Sequence, residues 1–511
     1  MRSKNFKSLL GIFKKNIQEH YDPQKIDPNN ITRRSFVKNT AMASLAIGLS
    51  STFLESCASS GKKVIDTKVA IIGGGIAGLH AGHIFSKSGI DFTLFEASKR
   101  VGGRIYTAKN QFGENITTEL GGEFIDSNHE DMINLAKEFG LDLYDIEEDI
   151  RKNNIIKDAY FFSGRHYTEN ELLQEFSKYS KSIAEDVQKV VGEEDEEFIG
   201  QLDAISITDY LKTKGINGWL FELLSNAYTS EYGLESSEQS SLNLVYMLNP
   251  DTKDGFKIFG DSDERFKIYG GNSLLIEKMY EKLKGSIKLN CELSTIAEAN
   301  GKYKLTFKNK ETSDYDYVIL AIPFSVLRKI EIKLSLPEDK IRAINELGYG
   351  TTSKMIFGVN ERVWRENGYS GYLFSREIQN GWDSSMGQNN NSGKGSYTVF
   401  LGGDLGKVIN KDSTEGYIQK FNQIFSSKKN VINTNKLVFN WSSNPYSLGG
   451  YSAYKVGQWT TIAGQEKEPV NNLFFAGEHC SEDFQGYMNG GAETGRLAAE
   501  EIINKLNLNN K

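Results

Sequence analysis

Cysteine is scarce. Only Cys57, Cys291 and Cys480 occur in 511 residues, so no disulfide framework can staple the chain. Prolines number 7 against 49 glycines, which leaves no long Pro-rich linker between domains. Histidines number 6, and no His/Cys/Asp cluster has metal-ligand spacing. No Gly-x-Ser-x-Gly nucleophile elbow occurs either. Positive charge is short as well. The formal net charge is −7, and residues 1–56 hold nine Lys/Arg and four Asp/Glu, leaving 51 basic against 63 acidic residues. That balance excludes a general nucleic-acid surface, which needs the opposite sign. The apolar run Ala41 to Phe53 falls short of the about 20 residues that span a membrane comfortably. What remains is 39% hydrophobic and 25% charged, the composition of a soluble globular protein. At this length one core is not enough, and two domains, possibly interleaved, are expected.

The N-terminus reads as an address. Thr32-Arg33-Arg34-Ser35-Phe36-Val37-Lys38 precedes the apolar run. This resembles a twin-arginine export signal. Leu54-Glu55-Ser56-Cys57 is similar to a bacterial lipobox, although Glu55 departs from the pattern. The resemblances imply a leader over residues 1–56, a lipid on Cys57, a tether over 57–63, and passage through the twin-arginine translocase. The destination would be periplasmic or membrane-anchored. That route carries folded proteins, which suits a chain that takes up a cofactor before export.

A short buried strand is expected at Val69 to Ile72, feeding Gly73, Gly75 and Gly78. In this G-x-G-x-x-G the first glycine serves a tight turn and the second admits a pyrophosphate to the backbone. The third lets the helix pack on the strand. The helix start at Ile76 and Ala77 then points its positive end at the phosphates. A second strand, Phe92 to Phe95, ends in Glu96, placed to accept hydrogen bonds from a ribose.

Further on come Arg100-Val101-Gly102-Gly103-Arg104 and Glu119-Leu120-Gly121-Gly122. Near the C-terminus, Leu473 to Phe475 leads into Ala476-Gly477-Glu478, then Gly486-Tyr487-Met488-Asn489-Gly490-Gly491 and an amphipathic helix to about Leu506. In this order these segments resemble the flavin-containing amine oxidase family, from residue 64 to 507. The resemblance implies non-covalent FAD, because the loop residue that is a flavin-linked cysteine in monoamine oxidases is Gly450 here. It implies that Arg104 neutralises the pyrophosphate, that the Gly121-Gly122 backbone runs beside the flavin, and that the backbone at Leu293 contacts adenine. Trp441, Gly477 and Glu478 would also meet the cofactor, with the helix start at Met488 facing the flavin pyrimidine. The fold implied is α/β. A discontinuous Rossmann-type FAD-binding domain (64–144, 262–332 and 440–507) would be interleaved with an α+β substrate-binding domain (145–261 and 333–439).

The stretch Ser447-Leu448-Gly449-Gly450-Tyr451 raises the question of what its double glycine faces. By resemblance, Tyr451 and Tyr487 form an aromatic cage around the substrate nitrogen, since ring faces attract a cationic amine. The alternative is two half-buried wall residues with bonded hydroxyls. Lys354, in an apolar run ending at Phe357, is either an outward charge on a strand or the family's lysine that holds a water beside the flavin.

The implied reaction oxidises an amine C–N bond to an imine, with O2 reduced to H2O2. No arginine follows Gly121-Gly122-Glu123-Phe124-Ile125-Asp126, which disfavours an α-amino acid. Glu123, Phe124 and Asp126 are candidate substrate contacts, the two acids for a second ammonium. A same-fold dehydrogenase or desaturase, an L-amino-acid oxidase, and a non-catalytic flavin-binding electron carrier stay open. His80 and His83 are expected to pack or lie at the surface. His479 is a candidate cofactor neighbour, and the acidic run Glu193 to Glu197 an exposed segment.

Overall fold

A computed structural model describes residues 67–388, 393–425 and 432–508. The twin-arginine segment and Cys57 lie outside them. At the centre is a five-stranded parallel sheet, ordered Leu473–Phe475, Tyr317–Leu320, Val69–Ile72, Phe92–Phe95 and Ile287–Lys288. Its strands come from three distant stretches of chain. Val69–Ile72 is wholly buried, as a strand with parallel neighbours on both edges must be. The helix Ile76–Ser88 carries the chain on to the next strand and stops at Gly89, whose φ of 66° is left-handed. The C-terminal helix Met488–Leu508 packs along this first helix. Close approach is possible because a Cβ at Gly495 would lie 2.1 Å from the Ala77 carbonyl oxygen.

A second, seven-stranded sheet runs Ile432–Asn440, Ser353–Val359, Gly395–Leu401, Gln379–Asp383, Tyr369–Ser375, Ile156–Phe162 and Arg165–Tyr167. It is antiparallel except where Tyr369–Ser375 meets Ile156–Phe162. Every residue of Ser353–Val359 is buried, Lys354 included, because both faces of the strand are covered. Of the two readings open for Lys354, the outward charge on the strand does not hold. Helices Glu169–Val187 and Gly218–Tyr232 pack over this half. The first opens with a capping box in which Thr168 and Glu171 satisfy each other's backbone N–H groups.

The acidic run divides. Glu193, Asp195 and Glu197 are exposed, and Asp195 caps the helix Glu196–Asp203, but Glu194 is buried. His80 and His83 both pack inside, bonded to the Ala492 carbonyl and to Glu138.

Candidate active site

One cavity of about 720 Å³ opens between the two sheets. Its wall brings together Gly73, Gly75, Ile76, Ala77, Glu96, Arg104, Gly121, Gly122, Glu123, Phe124, Asp126, Lys354, Trp441, Gly450, Tyr451, Gly477, Glu478, Tyr487 and Met488. Two expected members are absent from it. Gly78 sits behind, where a Cβ would lie 1.9 Å from the Gly73 carbonyl oxygen, so its work is packing. The Leu293 side chain belongs to the core, while Asn290, three residues earlier, lines the wall.

The cofactor end is made of backbone. Nothing lies within 4 Å of where a Gly75 Cβ would stand, so that glycine borders open space. The helix behind it has no side-chain cap, and its first-turn N–H groups are left for a ligand. Glu96 accepts from the Gly74 N–H at 2.7 Å and the Ser98 N–H at 2.8 Å, which fixes its carboxylate at the strand end. His479 is 1% exposed and bonds through neither ring nitrogen. Burial pushes its pKa down to about 4, so the ring is neutral at pH 7. A glycine cradle, an uncapped helix start and an orphaned imidazole together fit a dinucleotide such as FAD.

Arg104 does not face the cavity as a free cation. It donates to the Gly450 carbonyl at 2.7 Å and to Glu478 at 3.0 Å. Burial raises the Glu478 carboxyl, but Arg104 and the Ser452 hydroxyl outweigh it and hold its pKa below the ordinary value. Glu478 also accepts from the Gly486 N–H at 3.0 Å. The pair therefore ties together three segments of the wall, and the Arg104 charge expected to neutralise phosphate is already partly taken up by Glu478.

Gly121 and Gly122 lie where side chains cannot. A Cβ at Gly121 would meet the Arg104 carbonyl oxygen at 1.7 Å, and one at Gly122 would meet Met488 Cγ at 2.7 Å. Trp441 braces the same stretch through a 2.8 Å bond to the Leu120 carbonyl. Lys354 points inward. Its ammonium donates to the carbonyls of Glu119 at 3.1 Å and Gly121 at 2.9 Å and to Glu123 at 2.7 Å. Its three N–H bonds thus have three protein acceptors, and none is left over for a water.

Glu123 is corrected in the same way. Its other oxygen accepts from Lys267 at 2.8 Å, so two lysines occupy it and no substrate ammonium can. Asp126 reaches the wall but is 1% exposed and accepts from the Glu264 N–H at 3.0 Å. Phe124 stacks edge-on against Trp382, with ring centroids 5.4 Å apart.

The double glycine faces Tyr349 and Thr352. A Cβ on Gly449 would meet Tyr349 Cβ at 3.0 Å, and one on Gly450 would meet Thr352 Oγ1 at 1.9 Å. The loop is pinned there by paired bonds of 2.8 Å between Gly350 and the segment Gly450 to Tyr451. This turns Tyr451 into the cavity with its hydroxyl on the Ser230 carbonyl at 2.8 Å. Burial raises the Tyr451 phenol well above its ordinary pKa, so it stays a neutral donor. Tyr487 donates to Glu231 at 2.9 Å. A Cβ on Gly486 would lie 3.8 Å from Tyr451 Cγ, so the Tyr451 ring sits against the residue preceding Tyr487.

Sequence reasoning missed Glu231, Asp261, Glu264 and Trp382, all on the wall. They come from a helix end, a loop and a strand that carry no motif. Glu264 holds a φ of 48°, and burial pushes its carboxyl well above the usual range. A left-handed backbone at a residue other than glycine, as at Glu264, is not visible in a sequence.

A glycine-rich dinucleotide cradle facing an aromatic-walled chamber fits an oxidoreductase that binds a dinucleotide beside its substrate. The sequence model of the flavin containing amine oxidoreductase family matches residues 76–503. The chain belongs to that family: it is an FAD-dependent oxidoreductase acting on amines. Among its relatives, flavin-containing amine oxidase A of Sus scrofa is 26% identical over 460 residues, covering 86% of this chain and 85% of that protein. Flavin-containing amine oxidase B of Homo sapiens is 25% identical, covering 86% of each. In structure the chain is similar to cyclohexylamine oxidase from Brevibacterium oxydans IH-35A. The TM-score is 0.74 at 19% identity, over 87% of this chain and 100% of that one. Putrescine oxidase bound to putrescine gives 0.69 at 19% identity, over 86% and 99%.

Proposed function

We propose that this chain oxidises the C–N bond of an amine other than an α-amino acid, reacting as the neutral amine, with O2 as the final acceptor. The observation that carries it is the pair Tyr451 and Tyr487, both on the cavity wall, with one hydroxyl anchored on the Ser230 carbonyl and the other on Glu231. Anchored hydroxyls fix the two rings on the wall, and a ring face turned to the chamber would favour a developing positive charge on nitrogen. Carboxylates at that end, Glu231 and Asp261, favour a cation over a substrate carboxylate.

Gly73, Gly75, the helix start at Ile76 and Ala77, Glu96 and the Arg104–Glu478 pair would hold FAD. Gly121, Gly122, Trp441 and Met488 would border its ring. Gly450 offers no thiol, which supports non-covalent attachment. When bound, FAD supplies the two-electron acceptor. The tyrosines position the nitrogen, the apolar wall from Phe124, Trp382 and Phe400 keeps bulk water away, and no general base stands between the rings. The overall balance is amine plus water plus O2 giving a carbonyl compound, ammonia or a smaller amine, and H2O2.

The test is anaerobic mixing of holoprotein with mono-, di- and polyamines and with amino acids, followed by O2 uptake and peroxide assays. Bleaching of the flavin by one amine class, with stoichiometric peroxide in air, supports the reading. Bleaching by amino acids alone, or reoxidation only by artificial acceptors, overturns it. Acid precipitation should release all the flavin.

We further propose export by the twin-arginine route with lipid on Cys57, supported by the motifs at Arg33-Arg34 and Leu54 to Cys57. Fractionation of a bacterial host expressing the full chain tests it. Cys57→Ser should move the protein from membrane to soluble periplasm, and Arg33→Lys/Arg34→Lys should retain it in the cytoplasm.

A further inference from the structure

We infer that Glu123 and Lys267, acting through Lys354, form a buried charge clamp that sets how readily flavin bound beside Gly121 and Gly122 takes up electrons. This rests on the reading that FAD occupies the cavity. Glu123 bridges the two ammonium groups, Oε2 to Lys354 at 2.7 Å and Oε1 to Lys267 at 2.8 Å. All three side chains are inside, with 2% exposure for Glu123, 5% for Lys354 and 9% for Lys267. A simple ion pair would be neutral. Here two cations share one anion, and the group carries a net positive charge.

An uncompensated buried charge is costly unless its surroundings repay it. Part of the compensation is visible. Lys267 also donates to the Ser384 carbonyl at 3.1 Å, and Lys354 to the carbonyls of Glu119 and Gly121. The Trp382 ring lies 5.1 Å from the Lys354 ammonium. Glu119 is the nearest further carboxyl along the chain; it feels Lys267 across space but is bonded by Thr107 and the Asn272 N–H and by neither lysine, and burial raises its carboxyl to about 7, so it offsets little of the charge below that pH. The remaining positive charge therefore sits one hydrogen bond behind Gly121, on the wall itself. Two-electron reduction of a flavin adds negative charge. In a medium of low dielectric a nearby cation favours the reduced form. Lys267 is not on the cavity wall and touches neither substrate nor cofactor; it is a positioning residue that works by keeping Glu123 engaged.

The clamp makes a sign prediction that packing damage cannot imitate. The midpoint potential of the bound flavin is measured on purified holoprotein at one fixed pH, by reductive titration against a reference dye. Lys267→Met removes one positive charge and should lower the potential. Glu123→Gln removes the negative charge and should raise it. Each shift should correspond to at least a tenfold change in the reduction equilibrium, about 30 mV for a two-electron couple. The double variant restores the original charge count and should return towards the native potential, and Lys267→Arg should keep it. Unchanged potentials in Lys267→Met, or single variants that shift the same way and add in the double, overturn the clamp. Where Glu123→Gln does not fold, Lys267→Met against Lys267→Arg decides alone: a fall in the first that is absent in the second supports the clamp, and equal potentials overturn it. Native protein that purifies colourless and takes up no FAD would instead overturn the reading beneath it.

Discussion

At the Gly73 end of the cavity the wall is main chain: Gly73 and Gly75, an uncapped helix start and carbonyl edges, with Glu96 fixed by two backbone N–H groups. At the Glu231 end it is side chain: two tyrosines, three acids and a tryptophan drawn from distant segments between Glu231 and Tyr487. The first end recognises a group common to many enzymes by close approach, and so tolerates almost no added atom. The second recognises a substrate by charge and ring face, and can change residue by residue while the chain keeps its shape. Substitutions should therefore break the two ends in different ways.

The largest effect is expected at Gly75. Its φ of −73° suits any residue and nothing crowds its Cβ position, so Gly75→Val should fold normally. It should nonetheless lose FAD by on the order of 100-fold, roughly 3 kcal/mol, read as flavin content and as fluorescence titration of apoprotein. Gly78→Ala makes the contrast. Its Cβ would meet backbone at 1.9 Å, so thermal stability should drop by roughly 1–3 kcal/mol whether or not flavin is present.

At the other end, Tyr451→Ala or Tyr487→Ala should keep the flavin and slow its anaerobic reduction about tenfold. That corresponds to the ~1–2 kcal/mol that ring faces offer a cation. Reduction at the native rate in both variants would remove the cage. The same rate should rise with pH in the native protein, because an amine reacts after losing its ammonium proton.

The smallest effect concerns Glu119, whose carboxyl burial raises to about 7 against an ordinary 4.5. The unfolded chain ionises this group first, so its protonated form favours the folded state. That contribution is complete below about pH 4.5 and is lost as pH climbs through about 7. Glu119→Gln keeps an acceptor for Thr107 and Asn272 but cannot ionise. Its melting temperature relative to the native protein should therefore improve by a few degrees between about pH 5 and pH 8. A constant difference across that window would show that Glu119 does not titrate there.

The strands Val69–Ile72, Phe92–Phe95 and Leu473–Phe475 were legible because short apolar runs ended in glycine or acid at spacings that a phosphate cradle requires. Tyr451 and Tyr487 were legible only through resemblance, since no periodicity marks them. Lys354 was ambiguous. Alternation shows that a strand has two faces, and it does not show that both are covered. Glu123 and Asp126 were read as open acids because a carboxylate on paper has no partners. Lys267, 144 positions away, supplies the partner that removes Glu123 from any substrate.

By itself the sequence determined the cofactor cradle, because backbone geometry at Gly73, Gly75 and Gly78 follows from local residue type. It also determined the absence of a thiol at Gly450. Which charges are paired, which tyrosine hydroxyls are anchored, and that two lysines share one carboxylate behind Gly121 were decided only in the tertiary structure. Those facts depend on which distant side chains come within about 3 Å of one another, and hydrogen bonds and ion pairs act only at that range.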